Sequence, residues 1–196
     1  MAERRTEKGE KVRKWLADSS EANDKRAAEN RMQQVEDRQL AEAAFLLSNV
    51  PPGEAAALAH RLAPILTAAN NKPVYVECNA VSPPTQLAIA DIIKPTGCAF
   101  VGAGIIGPPP KPGSTNTKIY VSGPDAKAVA ILNDPGMIVR VLDGPLTAAS
   151  ALKMSYAGIT KGFTALGAAM MLAATRGGSA EALKAELADS QQGLNG

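Results

Sequence analysis

The sequence predicts an α/β fold: a parallel or mostly parallel sheet with helices on both faces, followed by one long helix. Three observations carry that expectation. Short apolar runs alternate with helical stretches between residues 45 and 142, joined by short connections, which is how βαβ units read. Alanine is abundant while aromatic residues make up only 4% of the 196-residue chain, which favours helices packed through small side chains over an aromatic-rich β-sandwich. From Pro145 to Thr175 the chain is apolar and rich in helix formers, with Lys153 and Lys161 as its only charges.

Each element has a local reason. Residues 1–9 read as the tail of an amphipathic helix ending near Gly9, and Val12 to Ala17 as a strand closed by Asp18, Ser19 and Ser20. A polar helix is expected over 21–31, with Ser19 or Ser20 as its N-cap, and a short helix around Asp37 to Glu42. The apolar run Phe45 to Val50, stopped by Pro51 and Pro52, predicts a buried parallel strand; Glu54 to Thr67 has apolar positions at helical spacing. A turn at Asn70-Asn71-Lys72-Pro73 precedes a second buried strand at Val74 to Cys78, and Pro83-Pro84 opens a helix reaching Ile93. Further strands are expected at Cys98 to Val101, Thr117 to Ser122 and Met137 to Leu142, with a helix across Asp125 to Leu132 and a last one at Glu181 to Asp189. The proline-rich stretch Pro108 to Thr117 reads as a stiff connector rather than a ligand for a proline-binding module.

In sheets of this kind ligands sit beyond the carboxyl ends of the strands. Those ends carry Asp18, then Asn49 to Gly53, Glu77 to Pro83, and Gly102 to Gly107.

Composition excludes several classes. A formal net charge of +2, with nine Lys or Arg against seven Asp or Glu in residues 1–31, gives no basic patch for nucleic acid. Cys78 and Cys98 have neither metal-ligand spacing nor a disulfide framework, so no metal is expected and a reducing cytoplasm is the simple reading. Lys161 and Arg176 bracket the most apolar part of the late helix below spanning length, and the charged first 20 residues hold no secretory signal. A soluble, membrane-free, cytoplasmic protein is expected.

The two lysines in the apolar stretch are the candidates for chemistry. An ammonium group without a nearby carboxylate either runs its stem to the surface or sits partly buried with a lowered pKa, and the second state makes lysine serviceable as an acid or base. At the helical period Lys161 is rotated by about 80° from Lys153, so the two do not aim at one substrate atom.

Four blocks in fixed order, FLLSNVPPGEA, VYVECNAVSPPT, FVGAGIIGPPPKPG and AASALKMSYAGITKGFTAL, resemble the 6-phosphogluconate-dehydrogenase-like, or β-hydroxyacid dehydrogenase, superfamily. The likeness runs to about Arg176 and looks closest to the bacterial NAD(P)-dependent branch. It implies a Rossmann-like dinucleotide-binding domain over residues 1–144, then a linker helix and the start of a helical domain over 145–196. It also implies hydride transfer at the hydroxyl carbon of a small acid, with Lys153 as general acid and base. Carried over by position, Asp18, Asn49, Val50, Pro51 and Asn79 border the cofactor, and Ile105, Ile106, Gly107 and Tyr156 the substrate. The acidic Asp18 leans towards NAD over NADP, while Lys25 and Arg26 keep NADP open. The implied partner is a small-molecule hydroxy acid or related carbonyl compound, and a homodimer is compatible with the family.

The chain departs from the family pattern in several places. Ile106 stands where a serine is common, Glu77 and Gly102 where aspartates are, and Tyr156 and Ala157 where an asparagine follows the lysine. No first strand with a G-x-G-x-x-G turn is found, so the sequence reads as truncated at both ends. On that reading the expectation is negligible NAD(H) affinity, and a binding or dimerisation scaffold without catalysis is the alternative.

Overall fold

The computed structural model describes residues 35–109, 116–133, 137–191 and 193. The strand expected at Val12 to Ala17, the helices around it and Asp18 lie outside the described residues. The chain divides into two compact units, Met1–Met154 and Ser155–Gly196.

The first unit is an α/β layer structure. Its elements are α1 (Asp37–Leu40), β1 (Phe45–Ser48), α2 (Ala55–Ala68), β2 (Val74–Glu77), α3 (Pro83–Ile93), β3 (Phe100–Ile106), β4 (Lys118–Ser122), α4 (Ala126–Val129) and β5 (Val139–Val141). A long helix, α5 (Ala148–Arg176), begins in this unit, and α6 (Ala180–Ser190) lies in the second. The five strands form one sheet in sequence order, with β1–β2, β2–β3 and β4–β5 parallel and β3–β4 antiparallel. The mostly parallel sheet is as the sequence predicts.

Local chemistry accounts for the elements that frame the site. Helix α2 buries Ala55, Ala59, Leu62 and Leu66, a stripe at spacings of four, three and four that lays one face on the sheet. Burying each of the two leucines contributes about 1.5–3 kcal/mol. Helix α3 starts at Ser82, whose side chain accepts the Thr85 N–H, with prolines filling the first positions where no N–H is needed.

Alternation along the strands separates two cores. Leu46, Tyr75 and Phe100 pack with α2 and α3 on one face, where the Tyr75 and Phe100 rings stack at 5.7 Å. Val76, Cys78, Val101, Ala103, Ile119 and Val121 pack with Val129 of α4 on the other. One sequence expectation needs correction here. The stretch from Gly102 to Ile106, read as a loop after a strand ending at Val101, is strand: β3 runs on to Ile106 and pairs with β4 along Gly102 to Ile106. Its glycines serve close packing, described below, rather than a turn.

In the second unit α5 carries exposed Tyr156, Ile159, Phe163, Leu166, Met170 and Leu172. By length and composition alone α5 is long and apolar enough to cross a membrane. The expectation that Lys161 and Arg176 shorten the run below spanning length is corrected to that extent, because two charges still leave a sufficiently apolar window.

Candidate functional site

A row of four residues crosses the sheet at its site end. Ser48 pairs with Glu77, Glu77 with Gly102 and Gly102 with Ser122, so β1 to β4 each place one residue in a single buried line. All four share the face covered by α3 and the start of α5. Such a polar row inside a sheet is costly unless its members are bonded.

At one end of the row Asn79 joins two strand-end loops. Its Oδ1 accepts the Val50 N–H at 2.7 Å, its Nδ2 donates to Ser48 Oγ at 2.8 Å, and its own backbone N–H donates to Glu77 Oε1 at 3.0 Å. Asn79 is 2% exposed. The loop that follows β1 is thereby held by a side chain from the loop that follows β2.

At the other end Ser122 holds the start of α5. Its hydroxyl donates to the Leu146 carbonyl at 2.8 Å and accepts the Ala149 N–H at 3.0 Å, supplying a partner to an N-terminal helix donor that has none within the helix. Ser150 adds a third tie, donating to the Val81 carbonyl at 2.5 Å. Gly102 and Gly104 explain how the helix comes so near. A Cβ on Gly102 would lie 2.2 Å from the Leu146 carbonyl oxygen, and one on Gly104 would lie 2.7 Å from that of Ala149 and 3.1 Å from the Cβ of Lys153. Only glycine admits this approach of helix backbone to strand.

Lys153 is therefore set one turn past a doubly bonded helix start, over Gly104, and is half-buried. Burial holds its ammonium below the ordinary lysine value, while neighbouring Cys78 acts weakly in the opposite sense. Burial, with the Glu77 charge, pushes the Cys78 thiol up to about 12 against the pull of Lys153. Glu77 is raised above the usual carboxylate range by burial, against the Asn79 and Ser48 groups that favour its charged form. Its Oε2 makes no hydrogen bond, and neither atom of the Gln86 amide does, although Gln86 Oε1 sits over Gly102.

The structure ties Asn79 to Val50, sets Lys153 separately over Gly104, and leaves Asn49 and Pro51 exposed. Ile105 turns to the opposite core, whereas Ile106 lies at the end of β3, opposite Lys118. Gly107 follows with φ +127°, a conformation where a side chain would also strike the Asn116 carbonyl. Tyr156 belongs to the second unit and is exposed. Ser48, Gln86, Ser122 and Ser150 were not singled out from sequence, since a lone serine or glutamine in an apolar context gives no signal. The Gly102-x-Gly104 spacing was the available clue to the helix contact. Among the described residues no group of three or more His, Cys, Asp or Glu is placed to hold a metal ion.

No family model matches the chain, and no curated protein does. Solved structures do. A conserved protein of unknown function, described as structurally similar to 3-hydroxyacid dehydrogenases, shares 28% identity at a TM-score of 0.76, covering 99% of this chain and 72% of that one. An imine reductase variant from Myxococcus stipitatus in complex with NAD+ shares 18% identity at 0.71, covering 95% and 66%. The 3-hydroxyisobutyrate dehydrogenase of Mycobacterium tuberculosis, solved with L-serine, shares 16% identity at 0.72, covering 95% and 65%. The chain thus spans about two thirds of the length of the latter two.

Proposed function

On the premise that this chain has the fold and the ordered sequence blocks of the β-hydroxyacid dehydrogenase superfamily, we propose that it serves an NAD(P)-dependent oxidoreductase in which Lys153 is the general acid and base. The observation that carries the reading is the placement of Lys153: half-buried, lowered in pKa, and held by a helix start that Ser122 and two strand glycines fix against the sheet. The substrate class is a small hydroxy acid or the related carbonyl compound.

In the oxidative direction neutral Lys153 Nζ takes the proton of the substrate hydroxyl. In reduction its ammonium returns that proton to the carbonyl oxygen. A lysine with a lowered pKa serves both directions near neutral pH. A bound nicotinamide would supply the hydride acceptor or donor. Asn49 and Pro51 offer an exposed rim for its ribose end, and Val50 contributes loop shape rather than a free donor, since its N–H is already given to Asn79. The polar side chain of Asn49 suits a ribose edge; the sequence resemblance, not the described residues, gives Asp18 as a further partner and NAD as the favoured form. Ile106 and Gly107 border the substrate side on this reading.

The test is to follow NAD(P)H absorbance with a panel of small hydroxy acids, keto acids and imines. Lysine-dependent turnover of one class supports the reading and overturns the expectation of negligible NAD(H) affinity; none with any class and either nucleotide defeats the reading and leaves the scaffold alternative.

A second reading is favoured by one observation in the second unit. The exposed Ile159, Phe163, Leu166 and Met170 of α5 form an apolar face of the kind that marks association, consistent with a scaffold that dimerises without catalysis. Light scattering across a concentration series tests it: a monomer throughout removes the homodimer.

A further inference from the structure

We propose that Glu77 is a positioning residue for the Asn49–Pro51 loop, acting through Asn79. Glu77 is fully buried, and its Oε1 takes the Asn79 backbone N–H. That bond sets the Asn79 peptide, and Asn79 in turn spends Oδ1 on the Val50 N–H and Nδ2 on Ser48 Oγ. The three bonds run from β2 into its following loop and back across to β1 and the loop beyond it. Without the Glu77 acceptor the Asn79 N–H is a buried donor with no partner. The peptide must then turn to find one, carrying the Val50 acceptor with it.

The rest of the pocket indicates that the carboxyl is not there to fill space. Its Oε2 is unpaired, and the neighbouring Gln86 amide is unpaired as well. An apolar side chain of similar volume would fill the same room between β1 and β3 with no orphaned oxygen. What such a residue would not supply is the acceptor for Asn79.

The role rests on the proposed oxidoreductase reading only where it concerns the cofactor; the loop tether is testable without one. The experiment is amide hydrogen exchange by NMR on the full chain with no nucleotide added, reading Val50 against the ladder amide of Tyr75, which donates to the Ala99 carbonyl. Glu77→Met is expected to speed Val50 exchange about tenfold with Tyr75 unchanged, and Glu77→Gln, which keeps an acceptor, to restore protection. Should Glu77→Met not fold, Glu77→Asp withdraws the carboxyl by one methylene and is expected to speed Val50 selectively. Val50 exchange unchanged in either variant, with Tyr75 still protected, overturns the proposal. With nucleotide and substrate, the KM for NAD(P)H should rise in Glu77→Asp by a larger factor than kcat falls. Absence of any turnover in the unmodified protein would defeat the oxidoreductase reading and leave the exchange result standing.

Discussion

Lys153 stands over Gly104: a Cβ on that glycine would come within 3.1 Å of the lysine's own Cβ and 2.7 Å of the Ala149 carbonyl oxygen. The position of the lysine is thus set by what β3 lacks. A methyl group at residue 104 must push the helix outwards.

Gly104→Ala is therefore expected to destabilise the first unit by about 1–3 kcal/mol, the usual range for overpacking, read as a shift in the urea midpoint. Turnover should fall further than stability does, because a displacement of about 1 Å at a catalytic group costs about a hundredfold. A variant of normal stability and normal turnover would mean that the helix does not depend on this contact.

Ser122 is the second restraint on the same helix start. Ser122→Ala leaves the Ala149 N–H and the Leu146 carbonyl without that hydroxyl, and the expected cost is about 1–3 kcal/mol. Combined with Gly104→Ala in a double-mutant cycle, the two should be non-additive, since both act on one turn of α5. Simple additivity would place them in separate structural roles.

How far the sequence foretold this architecture depends on the kind of signal each element carries. Strand β1 was legible because an apolar run stopped by two prolines has few other readings, and α3 because Pro83-Pro84 marks a helix start. Lys153 stood out because its long apolar segment holds only one other charge, and the ordered blocks gave it a role. The end of β3 was not legible: glycine is a loop signal locally, and only the approach of Leu146 and Ala149, more than 40 residues later, makes glycine the residue a strand needs there. Ser48 and Ser122 were invisible for the same reason. Their partners are set by cross-strand register, which no local pattern encodes.

Glu77 gives the fold a pH dependence of definite sign. Burial raises its pKa above the ordinary carboxylate value, so the folded chain holds this proton more tightly than the unfolded one. Its contribution to stability is full below the unfolded value of about 4.3 and is lost as pH rises through the folded value. The titratable groups beside it are Tyr75, pushed far up by burial, and Cys78, pushed up to about 12, so neither titrates in that window. Urea unfolding from acid to neutral pH should show a downward component in the unmodified protein that Glu77→Gln removes. Identical pH profiles for the two would contradict it.

The central claim is that Lys153 moves the proton. The direct measurement is the pH profile of NAD(P)-coupled turnover for the unmodified protein and Lys153→Ala, with nucleotide affinity measured alongside. Oxidation by the unmodified protein should rise with pH through a lysine value lying below the ordinary one. Lys153→Ala should lose about a hundredfold or more in kcat while binding nucleotide as before. A Lys153→Ala variant with full turnover and the same pH profile would contradict the account.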